Sequence, residues 1–184
     1  LMVIAPAHHR RIQAGILSWG QDLDHEHNPF QCNLGYQVSL SGKGEWEKKG
    51  DYIGKQALEK MKADLKDGHK PYKLQLVGFE IGGKPIDEYA PDFWLVSPGD
   101  GGDPCGFITS PWYHPEKGKN IAMGYIPFDG TLNANGFPKW ELGKKFKVHL
   151  PDIYADEPGV PVDAVTVDVP VSYTHLTLPT ILLV

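Results

Sequence analysis

The first part of the chain carries the periodicity of helices. In residues 51–65, apolar side chains at positions 53, 57, 58, 61 and 65 fall on one face of a helix of about 3.6 residues per turn. Asp51 is a suitable N-cap for this helix, and Gly68 is a suitable stop. A shorter helix is predicted from Pro6 to Ala14, with Gly15 in the left-handed conformation that commonly follows a last helical turn.

From Tyr72 onwards the pattern changes to short runs separated by Gly, Pro and Asp. Within these runs apolar and polar residues alternate, as Phe146, Val148 and Leu150 do with their polar neighbours. The runs predict six strands, at residues 72–81, 92–96, 105–110, 120–126, 144–150 and 162–169. Several short strands with turn signals between them indicate a small antiparallel barrel or sandwich.

These patterns divide the chain into three segments. Residues 1–71 precede the change of period, and residues 72–171 form an all-β domain. Residues 172–184 contain no acid, no Lys or Arg and no Gly, and they resemble a translated sequencing adapter. We expect a non-native tail there, the alternative being an apolar edge strand. The chain begins at Leu1 with residues typical of a protein interior, and we expect it to be truncated at its N-terminus.

Composition narrows the classes of function. The 184 residues are 41% hydrophobic, which is enough for a packed core. The net charge is -5 with acids and bases mixed, so a nucleic-acid partner is not expected. Cys32 and Cys105 lie far apart, form no metal or redox motif, and are typical of packing residues in a reducing cytoplasm. No signal peptide or membrane-spanning segment is visible, so we expect a cytoplasmic protein without membrane contact.

Candidate chemistry is concentrated between Arg11 and Asp24. Arg11 lies just before Gly15, and a Trp19-Gly20 pair is followed by two closely spaced acids. This order predicts a helix that stops abruptly and a loop that presents fixed charges and a flat ring. Four histidines lie nearby, at positions 8, 9, 25 and 27, but their spacing matches no zinc motif, and no metal is expected.

The order of motifs along the chain resembles the aminomethyltransferase (glycine-cleavage T-protein) family. The matching segments are residues 11–15, 19–24, 28–29, 34–36, 52–58, 106–110 and 119–126. The resemblance implies an α+β fold, in which the C-terminal part of a folate-binding subdomain (1–71) is followed by a small antiparallel β-barrel (72–171). It also implies that tetrahydrofolate binds in a central hole and receives a one-carbon unit at N5 from a small-molecule donor.

The acid usually assigned to catalysis in this family lies in an N-terminal subdomain that this chain does not contain. We therefore expect no catalytic residue here, and an inactive fragment of an active enzyme. Gln13 replaces the family's usual Glu, Ala7 replaces an Arg of the glycine-cleavage members, and Trp19 replaces the commoner Tyr. These departures make the chain closer in character to the dimethylsulfoniopropionate demethylase-like members, with an onium or methylamine donor.

Four residues are predicted to contact the folate: Arg11, Trp19, Asp22 and Tyr113. Arg11 has an alternative role in an ion pair with Asp22 or Asp24, and the two acids could instead order their loop. Trp19 could stack on a pterin or aminobenzoate ring, contact an onium cation, or be a core aromatic. Tyr113 is expected in a barrel loop, the alternative being a simple turn.

Two other functions stay open from the sequence alone. The first is a folate-binding or regulatory module without turnover, which is favoured by the loss of charge at Gln13 and Ala7. The second is the folate domain of a larger methylamine dehydrogenase. The oligomeric state is left open.

Overall fold

The computed structural model describes residues 8–38, 40, 52–90 and 92–169. Two compact units are present. One contains the residues up to Asp24, Val77–Ile126 and the residues from Glu141 onwards, and the other contains His25–Leu76 and Pro127–Trp140. The predicted division into domains 1–71 and 72–171 stays a prediction, and the predicted tail at 172–184 lies outside the described residues.

Six strands form a closed antiparallel barrel, which confirms the β part of the predicted fold and selects a barrel over a sandwich. The strands are β1 (Leu74–Ile81), β2 (Trp94–Pro98), β3 (Gly106–His114), β4 (Lys119–Pro127), β5 (Lys145–Val148) and β6 (Val162–Val167). Their order around the barrel is β1-β4-β3-β2-β5-β6. In β5 and β6 buried and more exposed residues alternate, as the sequence pattern requires.

One strand boundary differs from the prediction in a way that affects the site. β3 continues to His114 and pairs with β4 along its whole second half, so Tyr113 lies in a strand. The expectation of a loop at Tyr113 was therefore wrong. Pro111 is tolerated inside β3 because pairing with β2 ends at Ile108, so the missing N–H of the proline is not required on that side.

Helix α1 (His8–Gln13) confirms the first predicted helix, although the predicted start at Pro6 lies outside the described residues. The N–H of Gly15 donates to the carbonyl of Ile12, and the N–H of Ile16 donates to that of Arg11. These two bonds form a Schellman motif, in which Gly15 has a φ of 67° as predicted. The chain therefore turns sharply after α1 and enters the loop that follows.

The second unit contains a short 3-10 helix (Gly35–Gln37) and α2 (Lys55–Lys66). The N-cap of α2 is Gly54, so the prediction of Asp51 was wrong, whereas the stop at Gly68 is confirmed by its φ of 83°. The predicted apolar face is only partly buried, because Ile53 precedes the helix and is fully exposed. The core of this unit is formed by Phe30, Leu65, Tyr72 and Phe128, with Leu58 and Met61 packed against it.

Candidate functional site

The loop after α1 is closed on itself by Asp22. Its backbone N–H donates to the carbonyl of Ser18 over 2.8 Å, and its Oδ2 accepts the N–H of Ser18 over 2.8 Å. Gly20, with a φ of 81°, donates its N–H to the carbonyl of Leu23 over 2.8 Å. The side chain of Asp22 therefore orders the loop, because it accepts a backbone N–H group and fixes a turn.

The carboxylate of Asp22 is completely buried and accepts hydrogen bonds from side chains of two other elements. Arg11 Nη1 donates to Oδ2 over 2.7 Å, which is the ion pair that the alternative reading of Arg11 predicted. The hydroxyls of Thr109 and Ser110 both donate to Oδ1 over 2.5 Å. With the Ser18 N–H, these donors give the buried carboxylate the full set of partners that a charge away from water requires.

The guanidinium of Arg11 holds several groups at once. Its Nη2 donates to Gln21 Oε1 over 2.9 Å and to Ser110 Oγ over 2.8 Å, and its Nη1 also reaches the carbonyl of Ile16 at 3.2 Å. Its side chain is 13% exposed. Among the residues that the structure describes, Arg11 Nε is buried and has no hydrogen-bond partner. The fork geometry of arginine explains why one side chain can join the helix, the loop and β3.

A β-bulge at Thr109 makes the double contact to one oxygen possible. The register between β3 and β4 shifts between Ile108 and Ser110, so Thr109 has no partner of its own on β4. In a regular strand, successive side chains point to opposite faces, and only one of the two hydroxyls could face Asp22. Thr109 Oγ1 also lies 3.1 Å from the carbonyl of Met123 and can donate its single proton to only one of its two acceptors at a time.

Two glycines allow the strands around the bulge to approach closely. A Cβ on Gly106 would lie 2.0 Å from the carbonyl oxygen of Tyr125, and a Cβ on Gly124 would lie 2.5 Å from that of Phe107. The buried hydroxyl of Tyr125 in turn donates to the backbone carbonyl of Asp22 over 2.6 Å. The barrel motifs that carry the family resemblance therefore converge on one junction, where β3 and β4 hold the loop.

Trp19 lies in this closed loop, and its side chain is exposed. It forms an isolated parallel bridge with Leu23, and the residue is 61% exposed. The alternative reading of Trp19 as a core aromatic was therefore wrong. The indole is exposed to solvent, and the loop that carries it is held in place by the buried hydrogen bonds of Asp22.

Tyr113 does not join the other predicted site residues. Its N–H donates to the carbonyl of Ile86 over 2.8 Å, and beyond the bulge the alternation of β3 turns its side chain to the face opposite that of Ser110 and Trp112. The structure thus brings Arg11 and Asp22 together, places Trp19 in the same loop, and leaves Tyr113 outside this network.

His8 extends the site along α1. Its ring lies 4.9 Å from that of Tyr89 and 5.7 Å from that of Trp112, nearly parallel to the latter. Burial and the nearby positive charge of Arg11 lower the pKa of His8, and the charge of Asp22 opposes this shift only partly. His8 is consequently neutral at pH 7 and contributes to the docking of α1 through its ring face.

Metal-ligating side chains are not clustered in the part of the chain that the structure describes. No group of three His, Cys, Asp or Glu side chains is placed to hold a metal ion there. Two surface cavities of about 410 and 250 Å³ lie on the barrel, and Trp19 lines neither of them. The expectation of no metal stays a prediction.

Sequence reasoning missed four members of the network: Gln21, Thr109, Ser110 and Tyr125. Thr109 and Ser110 belong to a motif that supported the family resemblance, but no role followed from it. The signal that could have found them is the adjacent pair of hydroxyl residues after a glycine in a strand. In a regular strand such a pair cannot share one partner, so the bulge had to be known first.

The barrel with its helix and loop has the fold of a glycine-cleavage T-protein. The crystal structure of the glycine cleavage system aminomethyltransferase T from Bartonella henselae superposes with a TM-score of 0.58 at 20% identity, covering 87% of this chain and 36% of that one. Together with the observed strands, this confirms the predicted α+β fold with a small antiparallel barrel.

Curated relatives point to the same family. An aminomethyltransferase of Synechocystis sp. is 32% identical over 117 residues, which is 64% of this chain and 27% of that protein. One of Thermosynechococcus vestitus is 28% identical over 152 residues, which is 82% of this chain and 34% of that protein. No protein-family model matches. The resemblance to the aminomethyltransferases is thus confirmed at the level of homology, and the chain spans about a third or less of these relatives' length.

Proposed function

We propose that this chain forms one wall of the tetrahydrofolate site in a one-carbon transferase related to the aminomethyltransferases. The observation that carries the proposal is the exposed indole of Trp19 on a loop fixed by the buried Arg11–Asp22 pair. A flat ring exposed on a loop with a fixed backbone is suited to stacking on a pterin or aminobenzoate ring.

The predicted contact residues differ in how well they fit a bound folate. The carboxylate oxygens of Asp22 and both terminal nitrogens of Arg11 are engaged with protein groups, and Asp22 has no exposed side-chain surface. For these two residues we propose a supporting role beneath the ligand, with Trp19 as the contacting residue. A folate contact by Tyr113 stays a prediction, and it requires a ligand that reaches the opposite face of β3.

Tetrahydrofolate, when bound, supplies the N5 atom that accepts the one-carbon unit. The residues of this chain contribute orientation, because a ring held against Trp19 has fewer directions in which to present N5. Because the charges of Arg11 and Asp22 cancel, this ion pair adds no net charge beneath the loop. No residue of this chain is proposed to transfer a proton or a carbon, so we expect the chain alone to be inactive and the complete protein to be an enzyme.

The donor is proposed to be a small aminomethyl or methyl compound. The departures at Trp19 and Gln13 support a methyl donor with a positive heteroatom, as in the demethylase-like members. Gln13 ends α1, and Ala7 lies outside the described residues.

We propose a cytoplasmic protein with neither a nucleic-acid nor a membrane partner. In the described segments, none of the helices is long and apolar enough to cross a membrane.

The test uses the complete protein that contains this chain. Trp19→Ala should weaken tetrahydrofolate binding about tenfold, the loss of one aromatic stacking contact, while Trp19→Phe keeps most of the affinity. Phe93→Ala is the matched control, because Phe93 is a 50% exposed aromatic of the same unit and should leave binding unchanged. Incubation with candidate donors should yield 5-methyl- or 5,10-methylene-tetrahydrofolate. Absence of both folate binding and product would refute the proposal.

A further inference from the structure

The bulged pair Thr109–Ser110 lies outside every predicted site, yet both hydroxyls are directed at the acid that closes the Trp19 loop. We infer that Thr109 and Ser110 are positioning residues, which set the orientation in which the loop presents Trp19 to its ligand. The identity of the ligand rests on the proposed function. The control of the loop by the two hydroxyls can be measured without any ligand.

A continuous chain of contacts links the two hydroxyls to Trp19. Both donate to Oδ1 of Asp22, and Oδ2 of the same carboxylate accepts the N–H of Ser18, the residue immediately before Trp19. The planar carboxylate thus transmits the position of β3 to the backbone at residue 18. A rotation of this carboxylate would move the peptide that precedes the indole.

Other contacts also hold the loop against the barrel. Arg11 pairs with Asp22 Oδ2, and Gln21 Nε2 donates to the backbone carbonyl of Thr109 over 2.8 Å. Neither of these two contacts uses a hydroxyl group of Thr109 or Ser110. A separate bond from Arg11 Nη2 does reach Ser110 Oγ. Removing the hydroxyls should therefore leave the loop folded on β3 but free to pivot, which is the behaviour that distinguishes a positioning role from a folding role.

The bulge itself supports this inference. It leaves Thr109 without an opposite residue in the register of β3 and β4, whereas a regular register would pair the strands without interruption. What the irregularity provides is the second hydroxyl on Asp22 Oδ1. Bulges that redirect a side chain in this way are found preferentially next to active sites.

The experiment compares Thr109→Val, Ser110→Ala and their combination with the unchanged chain. Amide hydrogen exchange is measured at Ser18, Gly20 and Asp22, whose N–H groups donate within the loop. Binding of 5-formyltetrahydrofolate, a stable reduced folate, is measured on the complete protein. Thr166→Val is the matched control, since Thr166 is buried like Thr109, at 1% exposure, and lies on β6 at the opposite side of the barrel.

The double variant should exchange the three loop amides about tenfold faster and bind the folate about fivefold more weakly, whereas Thr109→Ser alone, which keeps a hydroxyl, should leave both values unchanged. Thr166→Val should lower the melting temperature without changing either one. Unchanged loop exchange in the double variant would overturn the inference, as would an equal effect of Thr166→Val. Faster exchange in a protein that binds no folate would support the positioning role and refute the proposed function.

Discussion

Removing the carboxylate of Asp22 is the most direct test of the buried network. Asp22→Ala leaves the Arg11 guanidinium, which is only 13% exposed, without its counter-ion. It also deprives the Ser18 N–H of its acceptor and two buried hydroxyls of a common partner. Truncating one member of a buried ion pair typically costs about 3–5 kcal/mol, mostly because an uncompensated charge stays buried. We expect a loss of unfolding free energy in that range.

Asp22→Asn removes the charge of Asp22 but should lower the free energy of unfolding less than Asp22→Ala does. The amide oxygen can keep the bonds from Arg11 and the Ser18 N–H if the amide nitrogen faces the two hydroxyls. Thr109 can then turn its proton to the carbonyl of Met123, which is already 3.1 Å away. Arg11 still loses its counter-ion, but the hydrogen bonds that the amide keeps offset part of this cost, and we expect a loss of about 2 kcal/mol. Because of this rearrangement, we expect Asp22→Ala to lower the free energy of unfolding more than Asp22→Asn does.

The assay is urea unfolding of the full chain, followed by circular dichroism. The control is Asp163→Ala, because Asp163 forms an ion pair of the same length with Lys147, 2.7 Å, but its side chain is 87% exposed. We expect no measurable change there, since solvent screens exposed pairs. A loss below about 1 kcal/mol for Asp22→Ala, or equal losses at both positions, would contradict the reasoning, because burial and the additional hydrogen bonds are what distinguish Asp22 from Asp163.

Two further predictions concern pH and close packing. Burial lowers the pKa of His8 and of His114, so the folded chain binds fewer protons than the unfolded chain. The free energy of unfolding should therefore be highest above the usual histidine pKa of 6.5 and should fall as the pH drops below that value. Urea unfolding between about pH 8 and pH 5 should show this fall, and His8→Gln should reduce it; a flat profile would contradict the docking described for His8. Gly106→Ala should cost about 3 kcal/mol because its Cβ would meet the carbonyl of Tyr125, whereas Gly118→Ala, with open space and a φ of 62°, should cost about 1 kcal/mol. Equal losses in urea unfolding would refute the close approach of β3 and β4.

The strands could be predicted because their signal is local. Alternation such as that of Phe146 and Val148 is visible in a few residues, and the Schellman turn at Gly15 needs only one glycine after a helix. The error at Tyr113 has a tertiary cause. Pro111 is a turn signal on its own, but in this fold it occupies a stretch of β3 that pairs only with β4. Whether a proline ends a strand depends on which neighbour needs its N–H.

The candidate site was predictable only in part for the same reason. Arg11 and Asp22 are eleven residues apart, and their pairing was among the readings that the sequence left open. Thr109 and Asp22 are 87 residues apart in sequence. Their contact depends on the bulge in β3, which regular alternation cannot anticipate. The exposure of Trp19 was equally hidden, because an indole in a short apolar stretch is as compatible with a core as with a surface.

The relation between the buried charges and the exposed ring is the physical argument for the proposed ligand surface. A single exposed aromatic is ordinary in proteins, and a buried ion pair alone is weak support for any role. Here the two are coupled, since the carboxylate of Asp22 accepts the N–H of Ser18, next to Trp19. A fold selected for stability alone could replace the pair by apolar side chains and bury the indole. A charged pair held inside next to an exposed ring therefore supports the proposal that Trp19 contacts a ligand.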